Sequence, residues 1–303
     1  MEAAAGIEVF RTPEERFENL PGFPFEPVYR DWRGMRLAHL DEGEGSPVVC
    51  FHGEPTWSYL YRKVMGPLLD AGHRCVVPDL PGFGRSDKPT DVSWYSYDNH
   101  AEAVVALFEE LDLRDATVVV HDWGGPIGLR IATTELPDRV SRIVAMDTGL
   151  FTGRQKMGDA WLAFREFVER TPDLPIGMLV ARACKAEPAP EVVAAYEAPF
   201  PTPESKAGAR AFPPMIPLDP DAPGAAEGRA VAEALSRDAR PSLLLWADSD
   251  PVLPLDPAGR RMQGVFPTAE ELRVIEDAGH FLQEDQGERI GVLIADWLAE
   301  HPR

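Results

Sequence analysis

The sequence predicts an α/β fold, a mostly parallel sheet flanked by helices, with a helical segment inserted in its second half. Three observations predict it. Short β-branched apolar runs recur along the chain, each followed by a turn rich in Gly, Pro or Asp. Helix-length amphipathic segments lie between several of them. The alternation stops between about residues 150 and 232 and resumes near Ser242.

The apolar runs are 47–51, 74–78, 116–120, 142–146, 243–246 and 272–275. Continuous runs of this kind suit strands buried on both faces of a parallel sheet. Segment 99–111 reads as a helix with Ala103, Leu107 and Leu111 on one face. Strands alternating with helices imply an α/β architecture. The interrupted stretch is proline-rich, with Pro188, Pro190, Pro199, Pro201, Pro213 and Pro214, and holds no strand-like run. We read residues 150–232 as a helical cap, and 1–149 with 233–303 as the core domain. Sites in open parallel sheets form beyond the carboxyl ends of the strands, where such an insert would cover them.

Composition narrows the function. The 303 residues, 44% hydrophobic and 26% charged, suit a globular enzyme-sized domain. Fifty acidic against thirty basic residues give a net charge of −20, which repels nucleic acid and anionic membrane surfaces. No apolar run approaches the roughly 20 residues that cross a bilayer. Residues 1–10 lack the basic and apolar regions of a secretory leader. Cys50, Cys75 and Cys184 have neither metal-binding nor redox spacing, so a reducing, cytoplasmic compartment is expected. Neither a metal cluster nor a phosphate-cradling glycine loop is visible, so no metal and no cofactor are expected, and we expect a monomer.

The chemistry centres on His121-Asp122-Trp123-Gly124-Gly125, which follows a strand and precedes a helix. This is the context of the nucleophile elbow of the α/β-hydrolase fold, G-x-S-x-G, with Asp122 at the serine position and His121 at the first glycine. Alone, the pentapeptide would equally fit a turn with Asp122 capping the helix. Two further groups shift the balance. Asp250 and His280 each follow a predicted strand, in the order nucleophile, acid, histidine that this fold uses. Asp147 and Asp248 compete for the acid; we rank Asp250 first, then Asp147, then Asp248. The loop His52-Gly53-Glu54-Pro55 follows the first run, so the backbone N–H groups of Glu54 and Trp123 are the expected oxyanion hole. The turn at 79–86 receives no chemistry.

A carboxylate nucleophile makes an ester, which water then hydrolyses with His280 as base and Asp250 orienting its ring. The leaving group separates the possible substrates. An epoxide alkoxide needs an acid, such as cap tyrosines; a halide needs only N–H donors in a dry pocket. Trp123 adjoins the nucleophile, and the insert holds one tryptophan, Trp161, and one tyrosine, Tyr196. Two indoles against one tyrosine favour a halide.

At this point the sequence resembles the haloalkane dehalogenases, and in particular members that take the triad acid from the strand after the cap. The resemblance is carried by 52–62, 79–87, 121–125, 159–161, 195–201, 212–215 and 278–281, nearly the whole chain. It implies hydrolysis of a small haloalkane to alcohol and halide ion, Asp122 as nucleophile, His280 as base and Asp250 as acid. It also implies Trp123 and Trp161 as halide ligands, Glu54 near the hydrolytic water, and Phe212, Pro213, Ile216, Val252 and Leu253 as pocket lining. Two departures bear on pocket size: Pro126 stands where some relatives carry an aromatic, and 151–158 is poor in aromatics. An epoxide hydrolase, or a ligand receptor built on the same fold, remains the alternative.

Overall fold

The computed structural model describes residues 6–302; the stretch 1–10 read above for a leader lies partly outside them. The chain forms β1 (Val9–Phe10), β2 (Val28–Trp32), β3 (Met35–Glu42) and β4 (Pro47–Phe51). Then come α1 (Arg62–Asp70), β5 (Arg74–Pro78), β6 (Lys88–Pro89), α2 (Tyr97–Glu110), β7 (Ala116–His121), α3 (Gly124–Arg130) and β8 (Val140–Met146). The inserted stretch carries α4 (Asp159–Arg170), α5 (Ile176–Ala183), α6 (Pro190–Glu197) and α7 (Ala207–Met215), and α8 (Ala225–Leu235) follows. After it lie β9 (Ser242–Ala247), α9 (Arg260–Gln263), β10 (Arg273–Ile275) and α10 (Leu282–Glu300).

The main sheet has the order β10-β9-β8-β7-β4-β5-β3-β2, and β1 pairs with β6 separately. From β10 to β5 every pairing is parallel; β3 and β2 are added antiparallel at one edge. Each predicted run forms a strand. In β4, β7 and β9 every residue is buried, as continuous apolar sequence requires.

The sequence reading missed β2 and β3, for a physical reason. They lie antiparallel at one side of the sheet, β2 outermost, and carry charges such as Arg30, Asp31 and Arg36 among their apolar residues; β2 runs exposed, exposed, buried, exposed, buried. A search for continuous apolar runs passes over such a pattern.

α2 begins two residues before the expected helix, capped by Ser96, whose Oγ accepts the Asn99 N–H at 3.1 Å. Ala103 and Leu107 are buried as expected, and Leu111 caps the last turn. Helices flank the sheet: α1 packs on α10, while α3 packs on β7, α2 and α8. Among the described residues no strand lies between β8 and β9. The expected end of the insert at 232 falls inside α8, which lies against α3 of the core. No helix among the described residues is long and apolar enough to cross a membrane.

The parallel strands share one carboxyl edge. The loops leaving β4, β7, β8, β9 and β10 carry Glu54, Asp122, Asp147, Asp250 and His280 respectively. Five chemically active side chains from remote parts of the chain therefore converge at that edge.

Candidate active site

The turn from β7 into α3 is strained at Asp122. Asp122 adopts a left-handed φ of +47°, unusual for any residue but glycine. Its neighbours hold it there. Its N–H donates to the Asp147 carbonyl at 3.2 Å, and its carbonyl accepts from Gly125 N–H at 2.9 Å and from Thr148 Oγ1 at 2.6 Å. Such strain costs about 1–3 kcal/mol and persists only where surroundings over-determine it. The glycine after Trp123 is also required: a Cβ on Gly124 would collide with the Phe51 and His52 carbonyls, so α3 could not approach β4 so closely.

The loop after β4 supplies the facing surface. Glu54 N–H donates to Asp122 Oδ1 at 2.7 Å, and Trp123 N–H donates to the same carboxylate. A Cβ on Gly53 would strike that carboxylate, so only glycine admits it here. His52 fixes the loop: its Nδ1–H donates to the Gly53 carbonyl at 3.0 Å, and its Nε2 accepts Leu80 N–H at 3.0 Å.

The predicted acid and base meet the predicted nucleophile. His280 Nδ1 lies 2.9 Å from Asp250 Oδ2, and its Nε2 lies 3.4 Å from Asp122 Oδ2. Asp250 Oδ1 accepts the N–H groups of Val252 at 2.6 Å and Leu253 at 2.9 Å. Burial opposes charge on all three groups, but mutual attraction outweighs it. The His280 hydrogen bond and charge hold Asp122 below the usual carboxylate range, and the charge of His280 does the same for Asp250. The two carboxylates, Asp250 first, raise His280 well above an ordinary histidine.

The competing acids have other positions. Asp248 accepts Asp277 N–H at 3.1 Å and Ala278 N–H at 3.2 Å, stapling two loops. Asp147 is fully buried beside the triad, with one oxygen accepting Ala247 N–H at 3.0 Å. Burial and the charge of Asp250 push it well above the carboxylate range. One ligand atom each from His121, Asp147 and His280 lie within 4.8 Å of one another. Both His280 nitrogens face carboxylates, and His121 Nε2 meets the His280 carbonyl at 2.7 Å, so this cluster is a poor donor set for a metal.

Glu54 plays two parts. Besides its N–H, its carboxyl group is buried, with Oε1 lacking any hydrogen-bond partner within the protein. Burial, then the Asp122 charge, push its carboxyl well above the usual range.

The Trp123 indole is 5% exposed, packed between Phe212 of α7 at 4.9 Å and Phe151 at 5.3 Å. Phe212, Pro213 and Ile216 are buried, and Leu253 is half-buried. Val252 differs from its expected place in a pocket lining: its side chain is 46% exposed, and it serves the site through its N–H to Asp250. Trp161 lies half-buried on α4, packed on the core, with Arg165 6.0 Å from its ring. Two aromatic partners escaped the sequence reading. Phe151 was counted in a stretch poor in aromatics, yet it covers Trp123. His100 stacks on Phe212 at 4.8 Å; its place on the buried face of α2, between Ala103 and Tyr97, was the available signal.

The sequence matches the alpha/beta hydrolase fold family over residues 46–286. It is 43% identical over 300 residues to a haloalkane dehalogenase of Mycolicibacterium paratuberculosis, covering 96% of this chain and 98% of that protein. A haloalkane dehalogenase of Psychrobacter cryohalolentis is 40% identical, covering 98% of this chain and 100% of that one. Among solved structures, the tetrameric haloalkane dehalogenase DpaA of Paraglaciecola agarilytica superposes with a TM-score of 0.88 at 38% identity, covering 96% of this chain and 97% of that one. On fold, near full-length identity and superposition alike, the chain belongs to the haloalkane dehalogenase family.

Proposed function

We propose that the protein hydrolyses the carbon–halogen bond of small haloalkanes. Asp122 attacks the halogen-bearing carbon; a C–O bond forms, the C–X bond breaks, and halide leaves with the bonding pair. The Glu54 N–H holds Oδ1 of Asp122, leaving the other oxygen to attack. The indole N–H groups of Trp123 and Trp161 receive the halide. Water then attacks Asp122 Cγ and gives its proton to His280, and the backbone N–H groups of Glu54 and Trp123 hold the oxyanion that forms. Collapse releases the alcohol and restores the carboxylate, with one proton passing to solvent.

The switch between steps follows from the charges. In the free enzyme two carboxylates raise the proton affinity of His280. Esterification removes the charge of Asp122, so the proton affinity of His280 falls when a base is needed. The carboxyl of Glu54 can then bond the attacking water. Residues 150–232, read as the cap, close the site with α4 to α7.

The observation that carries this reading against an epoxide hydrolase is the fate of the tyrosines. All six hydroxyls are committed: Tyr29 to Glu14, Tyr59 to Pro21, Tyr61 to Phe51, Tyr95 to Pro89, Tyr97 to Pro126, and Tyr196, the one tyrosine in 150–232, to Glu284. No tyrosine proton is left to meet an alkoxide. Incubation with a panel of bromoalkanes and a simple epoxide tests this: halide and alcohol without diol are expected. Diol without halide would favour the epoxide hydrolase, and turnover of neither a receptor.

We take the protein to act as a monomer, since one chain supplies every proposed group; size-exclusion with light scattering checks this against the tetramer reported for DpaA. The three free cysteines fit a reducing compartment such as the cytoplasm.

A further inference from the structure

The loop that carries the base is held from the cap side. Residues 183–186, between α5 and α6, lie against the turn that ends in His280. His280 N–H donates to the Ala183 carbonyl at 2.8 Å. The Asp285 carboxylate, in the first turn of α10, collects three backbone N–H groups. Gly279 at 2.9 Å and Lys185 at 2.7 Å share Oδ2, and Ala186 reaches Oδ1 at 3.0 Å. Lys185 Nζ also meets Ser249 Oγ at 3.0 Å, next to the acid Asp250. The approach is close: a Cβ on Gly279 would collide with the Ala183 carbonyl and the backbone of Cys184 and Lys185.

We propose that Asp285 is a positioning residue for the base, clamping cap segment 184–186 to the histidine loop and so setting where the His280 ring stands when water attacks the ester. Bonds to an ionised acceptor are roughly twice as strong as neutral ones, and three of them converge on this single carboxylate. The neighbouring carboxylate points elsewhere. Glu284 takes Arg62, Lys63 and cap residue Tyr196, tying cap to α1 rather than to the base. Of the groups that attack and receive the halide, Asp122 and Trp123 lie in the turn between β7 and α3 and Trp161 lies on α4, and none of them bonds to segment 184–186 among the described residues. Loosening the clamp therefore strikes ester hydrolysis and spares ester formation.

The inference rests on the dehalogenase reading, and the test separates the two. Wild type, Asp285→Asn, Asp285→Ala and the control Glu288→Gln, one turn further along α10, are mixed rapidly with a bromoalkane in excess. Halide is followed with time, and intact mass reads the alkylated protein. The Asp285 variants are expected to give a full first-turnover burst of bromide at the wild-type rate, followed by a roughly tenfold slower steady state. Alkyl-enzyme should accumulate, and Glu288→Gln should match wild type. Burst amplitude counts folded, competent sites, so a misfolded fraction does not mimic the effect. An unchanged steady state overturns the inference, as does slowing spread equally over burst and steady state. Absence of bromide release from wild type itself overturns the dehalogenase reading instead.

Discussion

The carboxyl edge of the sheet and the helices that cover it solve different problems. At the edge, Asp122, Asp250 and His280 are buried and aimed by backbone groups: Glu54, Trp123, Val252 and Leu253 N–H on the carboxylates, Ala183 carbonyl on the histidine backbone. In the insert, α4 presents Trp161 half-buried and leaves Leu162 and Phe167 more than 40% exposed. Chemistry is placed on elements whose geometry the sheet dictates, and substrate enclosure on elements that can vary without disturbing it. Mutations at the edge should therefore abolish or split the reaction, and mutations in the cap should tune it.

The largest effect should come from the nucleophile. Asp122→Asn is expected to lower kcat by about a thousandfold or more, measured promptly, with intact mass confirming that the amide has not reverted. His280→Phe should release about one bromide per site and stop as alkyl-enzyme, since attack does not need the base but hydrolysis does. Continued turnover would place the base elsewhere.

Asp250→Asn should cost about 10²–10⁴ in kcat. It should also move the acid limb of the pH profile. His280 must be neutral to accept a proton, and Asp250 raises its proton affinity, so activity should rise with pH as His280 loses its proton. Removing that carboxylate lowers the limb. A limb that stays in place would shift attention to Asp147.

In the cap the effects shrink. Trp161→Phe should weaken bromide binding by roughly tenfold, read by fluorescence quenching, with little loss of attack rate. Unchanged affinity would remove Trp161 from the halide site. Tyr196→Phe removes a 2.6 Å bond to Glu284 and should cost about 1 kcal/mol, a melting shift of a few degrees at most, without gain or loss of epoxide turnover.

The same division governs what the sequence reveals. Asp122, Asp250, His280 and Glu54 are legible because each follows a short apolar run, and buried parallel strands announce themselves by continuous apolar residues. Asp147 could be ranked but not dismissed, because its burial beside Asp250 depends on strand order. β2 and β3 stay hidden because these antiparallel strands mix charge with apolar residues. Phe151 against Trp123, and Asp285 against Lys185 and Ala186, join separate segments of the chain; local patterning holds no trace of them. The expected end of the insert at 232 falls within α8, which is like the cap helices in pattern and packs on α3.

The account stands or falls on the ester formed by Asp122. In a single turnover of a bromoalkane in isotopically heavy-oxygen water, with enzyme in excess, the label should appear in the carboxylate of Asp122, found by peptide mass analysis, while the alcohol carries unlabelled oxygen from the protein. Label in the alcohol, with an unlabelled Asp122 peptide, would mean that water attacks the substrate directly, and would contradict the account.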